Sequence, residues 1–100
     1  MKPNEIKQLF PLSVCITKQI IDESVYADRN KCIGATALKT VLPEELHELI
    51  DWGTGIGRVD GVPIRSFRKN EKGKNIQYYT EFSSTKSGDV VEFLVDNERK

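Results

Sequence analysis

This chain is short of the residues that build most catalytic and metal sites. It has one histidine, one methionine, one tryptophan and two cysteines. Cys15 and Cys32 form neither a CxxC pair nor a Cys/His set with metal-ligand spacing, so no structural zinc site is implied and no metal is expected. In a reducing compartment both read as free thiols, behaving as small buried hydrophobes. A net charge is missing too. Lys+Arg and Asp+Glu both number 15, which leaves no overall field to attract nucleic acid or an anionic membrane. No apolar run approaches the roughly 20 residues of a membrane span. The opening MKPNEIKQLFPL carries Asn, Glu, Lys and Gln where a secretory segment needs a continuous apolar stretch. The expectation is a cytoplasmic protein with no membrane partner. Internal repeats, low-complexity tracts and linkers are also lacking, so residues 1–100 read as a single small domain.

What is present suits a folded domain. Hydrophobic residues make up 38% and charged ones 30%, far from disordered composition. Residues 1–12 hold two prolines and only Ile6, Leu9 and Phe10 as anchors, which predicts an arm or short helical turn docked on the body. Ser13–Ile21 alternates Val14, Ile16 and Ile20 against polar residues and reads as a strand, although Ile20, Ile21, Ser24 and Val25 would also share a helical face over 17–26. Asn30 suits an N-cap for a helix with Ile33, Ala37, Leu38 and Val41 at 3.6 spacing, ended by Pro43. A second helix is predicted from Pro43, with Leu42, Leu46, Leu49 and Ile50 as its stripe and Gly53 as its stop.

Beyond Gly53 the pattern turns to β. Ile56–Val59, Asp60-Gly61 and Val62–Phe67 read as a hairpin, because Asp-Gly supplies the positive φ angles of a type I′ turn. Pro63 predicts an edge strand or an outward-facing amide position. A second hairpin is expected from Ile76–Phe82 through 83–88 into Asp89–Val95. The fold class is α+β, a mostly antiparallel sheet of about five strands with a two-helix pair packed on one face, in the order β-α-α-β-β-β-β.

Three surfaces are candidates for function. Trp52 and Thr54 in the glycine-rich 52–57 segment, with Glu44, Glu45, Glu48 and Asp51 beside them, suit a protein partner, since tryptophan anchors many interfaces. Core packing is the competing reading for Trp52. The GxGxG in that segment is not a dinucleotide loop, because a helix precedes it and a strand follows. Asn30, Lys31, Cys32, Gly34 and Thr36 at the first helix start could hold a nucleotide or another anionic ligand. There, too, Gly34 could instead mark close packing. Arg65, Arg68, Lys69, Lys72 and Lys74, against Glu71 alone, give a basic hairpin end that could bind nucleic acid or be an ordinary solvated connection. A winged helix-turn-helix is disfavoured, because the second helix would present acids to phosphates.

No catalytic residue and no cofactor emerge. A Cys32–His47 pair would lack a third group and an oxyanion hole. The sequence supports a non-enzymatic binding module for a protein partner. Its length, balanced charge and lack of catalytic motifs fit the accessory proteins by which phages and other mobile elements inhibit host proteins. The strand holding Val91, Phe93 and Val95 could also pair two copies into a homo-oligomer.

Overall fold

A computed structural model describes residues 1–53, 56–69, 75–77 and 86–97. The fold is α+β, with helices on one face of an antiparallel sheet. The elements are α1 (Pro3–Gln8), β1 (Leu12–Cys15), α2 (Lys18–Glu23), α3 (Ile33–Lys39), a 3₁₀ helix (Glu44–Leu49), β2 (Ile50–Trp52), β3 (Ile56–Val59), β4 (Val62–Lys69), β5 (Asn75–Gln77) and β6 (Val90–Val95). Five strands run in the order β1-β6-β4-β3-β2, and β5 pairs with β4 beyond the end of β3.

The opening arm is a short helix. Pro3 suits its first turn, Glu5 accepts the Lys2 N–H, and Ile6 is fully buried as its anchor. Both readings of the next segment hold in part. β1 stops at Cys15, because Thr17 caps α2 by accepting the Ile20 N–H at 3.2 Å. Ile16 and Ile20 are both buried in the core. The cap of α3 is Cys32 rather than Asn30, whose side chain is engaged elsewhere.

The predicted second helix is corrected. Residues Glu44–Leu49 form a 3₁₀ helix, and Ile50–Trp52 leave it as strand β2, so Gly53 ends no helix. Tertiary pairing decides this: Ile50, Asp51 and Trp52 lie opposite Val59, Arg58 and Gly57, and burial alternates in, out, in.

The Asp60-Gly61 turn is as expected. Asp60 has φ 48° and Gly61 φ 80°, the left-handed pair of a type I′ turn. β4 is the central strand, however, with β3 and β5 on one edge and β6 on the other, so Pro63 does not mark an edge. Its carbonyl accepts the Asp96 N–H just past the end of β6. The reciprocal bond of that pair is the one a proline cannot make.

The second hairpin is corrected as well. β6 has β1 on one side and β4 on the other, so neither edge is left for β5, which pairs with β4 instead. Residues 78–82 of that expected hairpin lie outside the described residues. For the same reason Val91, Phe93 and Val95 cannot pair two copies edge to edge. The outer side of β2 is also covered, since Arg29 O accepts the Trp52 N–H and Asn30 Nδ2 donates to Ile50 O.

The core lies between helices and sheet. Ile6, Ile16, Leu38, Leu46, Val59, Ile64 and Phe93 are buried there around Trp52, which meets Phe93 edge to face at 5.4 Å. Among the described residues no helix is long and apolar enough to cross a membrane.

Candidate functional site

Between α2 and α3 the chain makes a tight, tied loop. Ser24 Oγ donates to Ile21 O, Val25 N–H to Lys31 O at 2.7 Å, and Cys32 N–H to Asp28 O at 2.9 Å. The Asp28 carboxylate accepts the amides of both Asn30 and Lys31. Within this loop Ala27 sits at φ 63°, a left-handed conformation that costs a non-glycine residue energy. So many ties fix the loop's shape before anything binds.

The loop walls a cavity of about 400 Å³ whose other sides are Cys32 and Ile33 from the start of α3 and Trp52 and Gly53 from the end of β2. That volume lies in the range of ligand pockets. Val25 is 47% and Tyr26 89% exposed at its lip, the two most exposed large hydrophobics among the described residues. The pocket's two charged residues are already matched. Arg29 pairs with Asp51, and Asp28 is held by the two amides. An incoming group therefore meets mainly apolar walls, an Arg29 already paired with Asp51 and a carboxylate with one oxygen already hydrogen-bonded.

Trp52 is among the lining residues. Its indole is 1% exposed, and Nε1 finds no acceptor among the described residues. Two glycines give it room: a β-carbon on Gly34 would lie 2.3 Å from Nε1, and one on Gly57 would lie 2.4 Å from Cε3. The close packing that Gly34 could mark is thus packing against Trp52, and Gly57 makes room for the same ring. Trp52 is a core residue, not an exposed anchor.

The expected anion site has most of its polar groups engaged internally. Asn30 Nδ2 donates to His47 O and Ile50 O, and Asn30 Oδ1 accepts from Lys39 Nζ, all at 2.9 Å. Thr36 Oγ1 donates to Lys31 O. Gly34 serves the indole. Of this set only Cys32 lines the pocket, where it meets Trp52 from the set assigned to a protein partner.

Burial pushes the Cys32 thiol above its ordinary pKa, outweighing the opposing pull of the nearby Gly34 and Ala35 amides. That is the wrong direction for a nucleophile. His47 Nε2 is held by the Leu42 carbonyl at 2.9 Å.

The basic strand is largely neutralised by β6 and the turn before it. Arg65 lies 3.6 Å from Asp96, Arg68 3.7 Å from Asp89 and Lys69 3.8 Å from Glu92. Lys72, Lys74 and Thr54 lie outside the described residues. By contrast Glu44, Glu45 and Glu48 are exposed and have no cation within 4 Å among the described residues. The 3₁₀ geometry stacks Glu45 and Glu48 on one ridge, because side chains three apart eclipse. Asp51 is exposed but belongs to the Arg29 pair.

The lip residues Val25 and Tyr26 were the part hardest to see in the sequence. They sit at the end of a segment that also reads as helix, and their only signal is an apolar pair inside a polar connection. No protein-family model matches the chain, and no curated protein or solved structure matches it.

Proposed function

We propose that this protein is a non-enzymatic binding module for another protein, which it inhibits by covering a surface, in the manner of accessory proteins of phages and other mobile elements. The observation that carries the proposal is the lip of the pocket. Tyr26 and Val25 stand exposed on a loop held by its own hydrogen bonds, beside an apolar cavity of about 400 Å³. A pre-shaped apolar seat with an exposed aromatic rim is the anatomy of an interface centre. Nucleotide capture has less support, because Asp28 already holds the Asn30 and Lys31 amides. Nucleic-acid binding has less as well, since Arg65, Arg68 and Lys69 face carboxylates within the chain.

The test is quantitative capture of proteins from the native host by the wild-type chain, by Val25→Ser/Tyr26→Ser and by the exposed control Lys18→Ala. A stoichiometric partner should be retained by the control and weakened at least about tenfold by the lip variant. Equal capture by all three would reject the lip as the interface.

A further inference from the structure

We infer that the pocket binds a small primary amine with an apolar body, held as the ammonium ion on Asp28 Oδ2. This goes beyond the protein-partner reading and does not depend on it. The cavity of about 400 Å³ is of ligand size, and Val25, Ala27, Ile33 and Trp52 among its lining residues suit an apolar body. Asp28 and Arg29 are the charged residues of the lining. Arg29 is turned to Asp51, so an anion finds no free cation there.

Asp28 is different, because only one of its oxygens is engaged. Oδ1 accepts the amides of Asn30 at 2.9 Å and Lys31 at 3.0 Å, whereas Oδ2 accepts no hydrogen bond among the described residues. No cation lies within 4 Å of this half-buried carboxylate among the described residues. Burial is the first cause of the raised Cys32 thiol pKa, and the charge of Asp28 adds to it, so the carboxylate acts on the wall at Cys32. A neutral apolar ligand would take water from Oδ2 and return nothing. An ammonium replaces that water with a charge-assisted hydrogen bond. Guanidinium suits the site less, since its paired N–H groups need two free oxygens and Oδ1 already takes two amides.

The test is titration of ¹⁵N-labelled protein, at neutral pH and low salt, with hexylamine, hexanol, hexanoate and Nα-acetyl-lysine methylamide. Hexylamine should shift the amides of Val25, Ala27, Cys32 and Ile33 and bind about fivefold more tightly than hexanol. Hexanoate should bind more weakly than hexanol. The lysine derivative carries the same ammonium on a stem two methylenes shorter and should bind about tenfold more weakly than hexylamine. Asp28→Asn keeps an oxygen for the two loop amides and replaces Oδ2 by a donor, so it should bring hexylamine down to the affinity of hexanol. If that variant does not fold, the ratio of hexylamine to hexanol on the wild-type chain decides. Equal binding of those two, tighter binding of hexanoate, no shift by hexylamine, or an unchanged hexylamine affinity in Asp28→Asn would each overturn the inference. Binding of the lysine derivative as tight as that of hexylamine would overturn the free amine in favour of a partner's lysine side chain.

Discussion

Gly34 lies against the indole of Trp52 with no space for a β-carbon, which would stand 2.3 Å from Nε1 and 2.4 Å from Cδ1. Replacing a helical glycine by alanine normally stabilises a protein by roughly 0.5–1 kcal/mol. Here the sign should invert. Gly34→Ala must move either α3 or a fully buried ring, and overpacking of this kind costs about 1–3 kcal/mol. Gly57→Ala should be at least as severe, because its β-carbon would also meet the backbone oxygen of Asp51 at 2.6 Å. Urea unfolding of both variants checks this, with Trp52→Phe expected to recover part of the loss at Gly34. A more stable Gly34→Ala would show that the indole does not fill that space.

Asn30 should prove structural rather than ligand-binding. Its amide donates to two carbonyls and accepts from Lys39, tying α3 and the 3₁₀ helix to β2. Asn30→Ala removes these bonds and leaves half-buried carbonyls unmatched, a loss of about 2 kcal/mol. Asn30→Asp keeps the size and the Lys39 contact but turns a carboxylate toward two carbonyl oxygens, so at neutral pH it should be no better than alanine. Chemical denaturation of the two variants decides it. Wild-type stability in both would place Asn30 outside the framework.

The sequence made some of this legible and hid the rest for identifiable reasons. The Asp60-Gly61 hairpin was readable because positive φ at two successive positions admits few residue pairs. α3 was readable from its small and apolar residues at helical spacing. β2 was hidden because Leu46 and Ile50, four apart, satisfy a helical period as well as they fill the two ends of a 3₁₀ helix and a strand. Pairing with β3, a contact that no local pattern encodes, chose the strand. Gly34 pointed to close packing without saying against what, and Gly57 was hidden in a GxGxG run, because Trp52, which needs the space at both, lies in a different strand. The basic cluster appeared free because the carboxylates that meet it, Asp89, Glu92 and Asp96, come from the far end of the chain.

Cys32 should make the protein less stable in alkali. Its thiol pKa is raised in the folded state, chiefly by burial. The unfolded chain therefore loses this proton first, at the ordinary thiol pKa of about 8.5. Between that value and the folded one the unfolded state binds fewer protons, so stability is fully present below the window and falls as pH rises through it. Cys32→Ala should flatten this part of the stability profile. Under native conditions at neutral pH, iodoacetamide should label the exposed Cys15 and spare the buried Cys32. Equal labelling of both by mass spectrometry would contradict the burial of Cys32 beside the pocket.

Ala27 offers a way to separate stability from binding. At φ 63° it carries a left-handed conformation that costs an L-residue roughly 1–2 kcal/mol, and glycine removes that cost while giving the unfolded chain about 0.4–1 kcal/mol of extra entropy. Ala27→Gly should thus raise stability by about 0.5 kcal/mol, a shift of a few degrees in Tm. The same substitution frees the backbone next to Tyr26, so the lip must be ordered on binding and partner affinity should fall about two- to threefold. Calorimetry and a binding titration on one sample would show the two changes together. Opposite signs are what a strained, pre-shaped lip requires. A gain in both would mean that the left-handed residue hinders binding, and a loss in both would mean that the alanine methyl supplies contacts in the pocket wall that outweigh its strain.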